Sequence, residues 1–188
     1  ERLIEAVKII RSLWTGDFVD FDGEYYDLDS AKIYTPPKKE IPIYIASAGP
    51  KSAEIAGRFG DGLYTFLGPG ARLENKVLPS FEKAAESFGK DLSDLEKVVQ
   101  APISYHPDPQ KALDSCKEWQ VNSISGHYEM PHNPKELEEF EDRVTEEDLK
   151  EKWRIAGSAE DVIDYVEEFR ELGFTKIILL SSSPDETQ

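Results

Sequence analysis

The segment Ser47-Ala48-Gly49-Pro50-Lys51 combines residue types that bind an anion at the start of a helix. Gly49 lets the backbone approach a ligand closely, and Pro50 supplies the φ angle of a first helical residue without using a donor. Exposed backbone N–H groups at a helix start favour a phosphate, and Lys51 adds positive charge. The same segment also admits a structural interpretation, in which a Gly-Pro turn leads into a helix capped by Ser47.

Two other groups of reactive side chains predict no site. The acidic run 136–141, with the carboxylates of 146–148, lacks the alternating ligands and turn glycine of a calcium loop. We therefore expect a solvated acidic face and no metal. Cys116 lies on the apolar face of a predicted helix with Leu113 and Trp119, so we expect it to be buried and structural.

Composition narrows the possible partners. The 188 residues include 38 acids and 22 bases, which gives a net charge of -16. This charge repels nucleic acid and anionic membranes, so we expect neither as a partner. No apolar run approaches the ~20 residues of a membrane span, and the first residues do not resemble a signal peptide. We expect a cytoplasmic protein that acts on a small molecule.

Sequence patterns predict strands and helices that alternate about four times. The predicted helices cover residues 1–15, 51–59, 73–88 and about 109–120, and the predicted strands cover 41–46, 63–66, 98–105 and 174–180. Asp22-Gly23 predicts a two-residue hairpin turn. The capping-box pattern from Ser158 to Asp161 predicts the start of a further helix that ends at Gly173. Residues 121–150 have a weaker pattern, and we interpret them as an insertion.

This alternation predicts an α/β fold with parallel β/α units. Four units make the C-terminal half of a TIM (β/α)8 barrel, because a complete barrel needs ~250 residues. We expect residues 1–188 to form one partial barrel domain that lacks the N-terminal half and the last helix.

Several segments resemble the luciferase-like superfamily of flavin and deazaflavin oxidoreductases. They are Leu13-Trp14-Thr15-Gly16, 19–26, 41–50 and Gly60-Asp61-Gly62. Ile103-Ser104-Tyr105, Asp108-Pro109 and Lys152-Trp153 are closer to one subgroup, which uses coenzyme F-420 (also written F420), an 8-hydroxy-5-deazaflavin. That subgroup includes glucose-6-phosphate dehydrogenases and secondary-alcohol dehydrogenases.

The resemblance implies a dehydrogenase that transfers hydride between an alcohol or carbonyl substrate and the deazaflavin. It places cofactor binding at Ser47, Ala48, Gly49 and Pro50, where the resembling enzymes hold the phosphate-bearing tail. Their catalytic histidine, tryptophan and glutamate belong to the first half of the barrel. We therefore assign no catalytic residue here, not even His106, His127 or His132, and expect the fragment alone to be inactive.

The resemblance also implies where substrate binds. The sugar-phosphate enzymes grip the phosphate with a threonine, two lysines and an arginine, and the corresponding positions here are Phe66, Pro69, Tyr128 and Lys152. Three donors are lost, and lysine lacks the planar fork of arginine. We predict a more apolar substrate site at Phe66, Tyr128 and Lys152, for a secondary alcohol or another uncharged carbonyl compound. Alternatively, Phe66 and Tyr128 are core aromatics and the register is shifted.

Other interpretations stay open at this point. Trp153 could line the mouth of the barrel or pack in the core. Within the superfamily, the chain could belong to an FMN-dependent monooxygenase or to a glucose-6-phosphate dehydrogenase. Outside the enzymes, it could be a non-catalytic half-barrel that binds phosphate or a partner. Dimers are common among the resembling enzymes, so a homodimer of the full-length enzyme is a further expectation.

Overall fold

The computed structural model describes residues 1–123, 133–141 and 143–182. They fall into two compact units. Unit 1 comprises Glu1–Thr65 and Gly70–Val98, and unit 2 comprises Phe66–Pro69 and Val99–Gln188. Among the helices of the described residues, none is long and apolar enough to cross a membrane.

The described part of unit 1 contains three α-helices and four complete strands. The helices are α1 (Arg2–Trp14), α2 (Pro50–Phe59) and α3 (Leu78–Ser87), and the strands are β1 (Val19–Asp22), β2 (Asp27–Ala31), β3 (Tyr44–Ala46) and β4 (Gly62–Thr65). A π-helical turn, Leu73–Val77, leads into α3, and a 3-10 turn, Leu92–Asp94, precedes the next strand. Strand β5 (Glu96–Tyr105) begins in unit 1 and continues in unit 2.

The described part of unit 2 holds the remaining elements. These are α4 (Pro109–Ser115), a 3-10 helix (Cys116–Ser123), α5 (Pro134–Glu141), α6 (Glu146–Lys152), β6 (Arg154–Ala156), α7 (Ala159–Glu171) and β7 (Lys176–Ser181). The predicted helix from Pro109 therefore changes type at Cys116. Residues 121–150 stay a predicted insertion, and 124–132 and 142 of it lie outside the described residues.

The strand pairs confirm the α/β prediction with mostly parallel strands. In unit 1, β3 pairs parallel with β4, and Ile45 lies opposite Leu63. In unit 2, β5 pairs parallel with β6, in register Ser104 to Ile155, and also pairs with β7. Sequence patterns missed the three-residue strand β6 because it is shorter than the apolar runs that predict a strand.

Helices α2 and α3 pack closely against each other in unit 1. Gly57 makes this possible, since a β-carbon there would stand 2.3 Å from the carbonyl oxygen of Phe81. The contact buries Ala53, Ala56 and Phe81 completely. Removal of this apolar surface from water is the main force that holds α2 in place, and α2 in turn carries the Gly49 segment.

The β1–β2 hairpin differs from the prediction. Asp22 pairs with Asp27, so the turn is the four-residue segment 23–26 and not the two-residue Asp22-Gly23 turn. The physical reason is a carboxylate from another element. Glu5 of α1 accepts hydrogen bonds from the backbone N–H groups of Glu24, Tyr25 and Tyr26 at 2.9, 3.0 and 3.2 Å. Desolvation is the largest single effect and raises the pKa of Glu5, but the three backbone hydrogen bonds and the positive N-terminus together outweigh it, so the pKa is lowered.

The turn at Gly60-Asp61-Gly62 is held by a clamp of charged side chains in unit 1. Asp61 accepts two hydrogen bonds of 2.7 Å from Arg11 of α1 and one of 2.8 Å from the backbone N–H of Ile43. Lys90 donates to the carbonyl oxygen of Gly60 at 2.7 Å. Because Asp61 already binds the N–H of Ile43, strand β3 starts later than the predicted residue 41.

The core of unit 2 includes a cluster of Leu113, Cys116, Leu149 and Trp153. Cys116 is fully buried, as predicted, and desolvation raises the pKa of its thiol. The hydroxyl of Ser182 donates to that of Ser104 at 2.6 Å, and Ser104 donates to the carbonyl oxygen of Ala112, also at 2.6 Å. These buried hydroxyls therefore satisfy each other, which burial requires.

The start of α7 confirms the predicted capping box. The hydroxyl of Ser158 accepts from the backbone N–H of Asp161 at 3.2 Å, and the Asp161 carboxylate accepts from the N–H of Ser158 at 2.9 Å. A second capping box, which we did not predict, joins Thr145 and Asp148 at the start of α6.

Candidate functional site

The Gly49 segment lies in unit 1 between the end of β3 and the start of α2. Its first residue, Ser47, is 1% exposed, and its backbone N–H donates to the carbonyl oxygen of Tyr64 at 2.8 Å. The hydroxyl of Ser47 donates to the carbonyl oxygen of Ile45 at 3.2 Å. Ser47 thus fixes the direction in which the chain leaves β3.

The first turn of α2 has no side-chain cap. The N-cap residue is Gly49, and the hydroxyl of Ser47 is directed to Ile45 instead, so the interpretation of Ser47 as the cap is wrong. The first bond within the helix runs from the N–H of Ala53 to the carbonyl oxygen of Gly49 at 3.0 Å. The N–H groups of Lys51 and Ser52 therefore have no acceptor within the helix.

Space and charge around Gly49 fit a phosphate. Apart from Gly49 and its two neighbours in the chain, no described residue has an atom within 4 Å of the point where a β-carbon of Gly49 would stand. Gly49 has an extended backbone with φ of -159° and ψ of 169°, and Pro50 occupies the first helical turn. Lys51 is exposed beside them. Free helix-start donors, open space and a nearby cation are the features that bind an anion.

Unit 2 contains a separate groove of about 530 Å³. It brings together Phe66, Pro69 and Lys152, three of the four positions that the resemblance placed around the substrate. The Lys152 ammonium lies 5.3 Å from the centre of the Phe66 ring, within the range of a cation–π contact. Tyr128 lies outside the described residues.

Phe66 is available to a ligand in this groove. It is 41% exposed, which favours a place in the groove over the alternative that it is a core aromatic. Lys152 is half-buried, and desolvation lowers the pKa of its amine. An ammonium with reduced hydration over an aromatic face can donate a hydrogen bond to a carbonyl or hydroxyl oxygen of a ligand.

The groove is also lined by three residues that the sequence did not indicate as site residues: Arg154, Tyr165 and Glu168. Arg154 forms an ion pair with Glu168, and its guanidinium lies 4.4 Å from the centre of the Tyr165 ring. Burial raises the pKa of Tyr165 to about 12, against the opposing effect of the nearby Arg154. Tyr165 and Glu168 share a face of α7, since they lie three residues apart, but no local pattern joins them to Arg154 of β6.

Trp153, between Lys152 and Arg154, belongs mainly to the core. It is 3% exposed and lies 6.4 Å, between ring centres, from Trp119. The indole N–H of Trp119 donates to the carbonyl oxygen of Ser182 at 3.1 Å. The geometry therefore favours packing over a place at the mouth of a barrel.

The remaining sequence candidates add no site. His106 accepts a hydrogen bond on Nδ1 from the backbone N–H of Asp108 at 2.9 Å, which is a local turn contact. Asp148 belongs to the capping box of α6. Within the described residues, no three His, Cys, Asp or Glu side chains are grouped to hold a metal ion. His127 and His132 lie outside the described residues.

Comparison with protein families gives a match over residues 1–176 to the family described as luciferase-like monooxygenase. This match covers most of the chain. The chain belongs to the luciferase-like monooxygenase family. The predicted resemblance is thereby confirmed.

Relatives within this luciferase-like family carry names that refer to coenzyme F-420. The chain is 36% identical to an F420-dependent glucose-6-phosphate dehydrogenase of Mycolicibacterium fortuitum, over 98% of this chain and 56% of the relative. It is 34% identical to one of Gordonia bronchialis, over 98% of this chain and 55% of the relative. The chain thus spans about half the length of these curated relatives.

Solved structures agree with this fold. An F420-dependent secondary alcohol dehydrogenase in complex with an F420-acetone adduct has a TM-score of 0.87 and 35% identity, over 98% of this chain and 56% of that one. The coenzyme F420 dependent tetrahydromethanopterin reductase from Methanopyrus kandleri has a TM-score of 0.76 at 20% identity, over 97% of this chain and 59% of that one. The second likeness shows the fold alone.

Proposed function

We propose that the chain is part of a coenzyme F-420-dependent dehydrogenase that transfers hydride between an alcohol or carbonyl substrate and the deazaflavin. One observation carries the proposal: the uncapped start of α2, with open space at Gly49. The names of relatives about one-third identical to the chain support the choice of cofactor. When bound, the deazaflavin supplies the hydride acceptor, and the protein supplies position and electrostatics.

The Gly49 segment would hold the phosphate of the cofactor. The backbone N–H groups of Lys51 and Ser52 would donate to it, and Gly49 would let the phosphate approach the backbone. Ser47 would act indirectly, since its side chain and N–H hold the segment against Ile45 and Tyr64. Ala48 would contribute backbone alone. FMN also carries a phosphate, so this segment by itself does not select between the two cofactors.

The groove of unit 2 would receive the substrate. Phe66 and Pro69 offer apolar surface, and Lys152 offers one donor, where the sugar-phosphate pattern has threonine, lysine and arginine. A phosphate dianion needs several charge-assisted donors, and the other two cations of the lining are already paired, Arg154 with Glu168 and Lys150 with Glu146. The groove therefore favours a secondary alcohol or ketone over a phosphorylated sugar, although the relatives named above include glucose-6-phosphate dehydrogenases.

We further propose that the chain forms the C-terminal half of a (β/α)8 barrel. It spans about half the length of its relatives, and Ile178 and Leu179 of strand β7 are 49% and 42% exposed. Exposed apolar residues on a sheet strand fit a position beside further strands. The base that takes the hydroxyl proton would then belong to the other half of the barrel.

The proposed function is tested with the full-length protein. We expect coenzyme F-420 to bind and to be reduced, with loss of deazaflavin absorbance, when a secondary alcohol such as 2-propanol is added. FMN with oxygen and glucose 6-phosphate serve as the competing conditions. Turnover with FMN and oxygen, but none with coenzyme F-420, would reject the proposal in favour of a monooxygenase.

A second experiment tests the substrate groove. The combined variant Phe66→Thr, Pro69→Lys and Lys152→Arg restores three phosphate donors. We expect kcat/KM for glucose 6-phosphate to rise at least about tenfold and that for the secondary alcohol to fall, since each charge-assisted hydrogen bond contributes about 1.5 kcal/mol or more. The matched control, Lys38→Arg with Lys39→Arg on unit 1, should change neither value. An unchanged preference would show that the groove does not contact substrate.

A further inference from the structure

The groove of unit 2 contains more charged side chains than its proposed use requires. Its lining has three cations and two carboxylates, which are Lys150, Lys152, Arg154, Glu151 and Glu168. The proposed function uses only Lys152 to contact the substrate. A guanidinium such as that of Arg154 in the wall of the groove would attract anions unless another group compensates its charge.

Arg154 is held between β6 and α7 by two contacts. Its guanidinium lies 4.4 Å from the centre of the Tyr165 ring and donates a hydrogen bond to the Glu168 carboxylate. Stacking on an aromatic face and an ion pair both restrict the orientation of a planar guanidinium. The side chains of Arg154 and Glu168 are 37% and 39% exposed, so a ligand in the groove can reach this pair.

Glu168 is the one described residue to which the side chain of Arg154 donates a hydrogen bond. Asp161, about two turns earlier on α7, also acts on Arg154 through its charge, but not through a hydrogen bond. The Asp161 carboxylate instead accepts from the backbone N–H groups of Gly157 and Ser158 at 2.8 and 2.9 Å. Glu168 is therefore the main group that compensates the charge of Arg154.

The ion pair leaves Arg154 with hydrogen-bond donors but with a compensated charge. A guanidinium has five N–H donors, and among the described residues Arg154 uses its side chain for the bond to Glu168 alone. The remaining donors can bind a carbonyl or hydroxyl oxygen. A carboxylate or phosphate that approaches them also meets the negative charge of Glu168, which offsets the attraction.

We propose that Glu168 is a specificity-determining residue, which holds Arg154 and thereby excludes anionic substrates from the groove. This inference rests on the proposed function, since it takes the groove of unit 2 as the substrate site. Exclusion of a competing ligand by an unfavourable charge is a general route to specificity. Glu168 acts through Arg154, and Arg154 in turn donates to an uncharged oxygen of the substrate.

The experiment compares two secondary alcohols that differ in charge, 3-hydroxybutanoate and its methyl ester. The kcat/KM of each compound is measured with the full-length protein and coenzyme F-420, and we expect the wild type to prefer the ester. In Glu168→Gln, the ratio of kcat/KM for the acid to that for the ester should rise at least about tenfold, because the released guanidinium can pair with the carboxylate.

A second variant separates this role from a structural one. In Glu168→Gln combined with Arg154→Met, the ratio should return close to the wild-type value, since no guanidinium is left to bind the carboxylate. Loss of packing alone would lower both values of kcat/KM together and leave their ratio unchanged. A ratio that stays raised without Arg154 would overturn the inference.

The matched control, Glu167→Gln, makes the same chemical change one residue earlier on α7. Glu167 pairs with Arg170 at 2.7 Å, and neither of these residues lines the groove. This variant should keep the wild-type ratio. An unchanged ratio in Glu168→Gln, or an equal rise in the control, would overturn the inference and leave the proposed function intact.

Binding measured without turnover keeps the two proposals distinguishable. If the wild type reduces coenzyme F-420 with no secondary alcohol, the proposed function is rejected. The dissociation constants of the acid and the ester, from NMR titration of the same four proteins, then decide the inference by themselves. A shift of about tenfold toward the acid in Glu168→Gln, which corresponds to about 1.4 kcal/mol, would support exclusion by Glu168, and no shift would overturn it.

Discussion

The two candidate sites are built from different parts of the polypeptide. At the start of α2 the donors are backbone N–H groups, and the side chain of Ser47 only holds the segment in place. In the groove of unit 2, the proposed recognition would depend on the side chains of Phe66 and Lys152, which are far apart in sequence. A backbone site fixes a common chemical group such as phosphate, whereas a side-chain site can change its ligand by substitution.

The backbone site depends on the position of α2, so a substitution that disturbs the packing of α2 should lower the stability of the protein. Gly57→Ala would place a β-carbon 2.3 Å from the carbonyl oxygen of Phe81. We expect the free energy of unfolding to fall by about 3 kcal/mol, since two packed helices have to separate. Urea denaturation followed by circular dichroism measures the change.

The control for that variant is Gly49→Ala, whose β-carbon meets open space and whose extended φ any residue adopts. It should leave the free energy of unfolding within about 0.5 kcal/mol of the wild type. Equal stability of the two variants would show that the contact between α2 and α3 relaxes without cost.

A second substitution tests the backbone site itself. Gly49→Asp introduces a carboxylate where we propose the phosphate to bind. We expect the dissociation constant of coenzyme F-420 to rise about 100-fold, which corresponds to about 2.7 kcal/mol, because two anions then compete for the same donors. Isothermal titration calorimetry measures the constant. Gly49→Asn has nearly the same size without the charge, so an equal loss in both variants would point to steric exclusion and not to an anion site.

The side-chain site should respond much less in stability than in specificity. Lys152→Met removes the cation–π contact with Phe66 but also the cost of desolvating the ammonium. We expect these opposing contributions to change the free energy of unfolding at neutral pH by about 0.5 kcal/mol or less. Urea denaturation of the variant and the wild type measures the difference.

The pH dependence of that difference has a definite sign. The pKa of Lys152 is lowered from 10.5 by desolvation, so between the lowered value and 10.5 the unfolded chain binds more protons than the folded one. Lys152 therefore makes the free energy of unfolding of the wild type increase with pH in that window. The Lys152→Met variant should not show this increase. The control is Lys150→Met, whose ammonium pairs with Glu146 at 3.7 Å. A wild type and Lys152→Met variant with parallel pH profiles would contradict the desolvation of Lys152.

Local sequence predicted those features whose causes are local. The capping box at Ser158, the buried Cys116 and the strand and helix around Gly49 all follow from residues close in the chain. The four-residue turn 23–26 could not be predicted, because the carboxylate that determines it belongs to Glu5 of α1. Turn residues alone favoured a shorter loop.

The side-chain site was predictable only through the family. Resemblance pointed to Phe66, Pro69 and Lys152, and the structure brings these three into one groove. The ion pair between Arg154 and Glu168 joins β6 to α7, and no local pattern marks it.

The hydrogen bond between Ser104 and Ser182 has a consequence for the order of folding. It joins residues 78 positions apart, and both hydroxyls are buried. During synthesis, Ser104 leaves the ribosome long before Ser182. Strand β5 therefore cannot pair with β7 until the intervening residues have been added. A pause or truncation upstream of residue 182 would therefore leave a sheet strand open to association with other nascent chains.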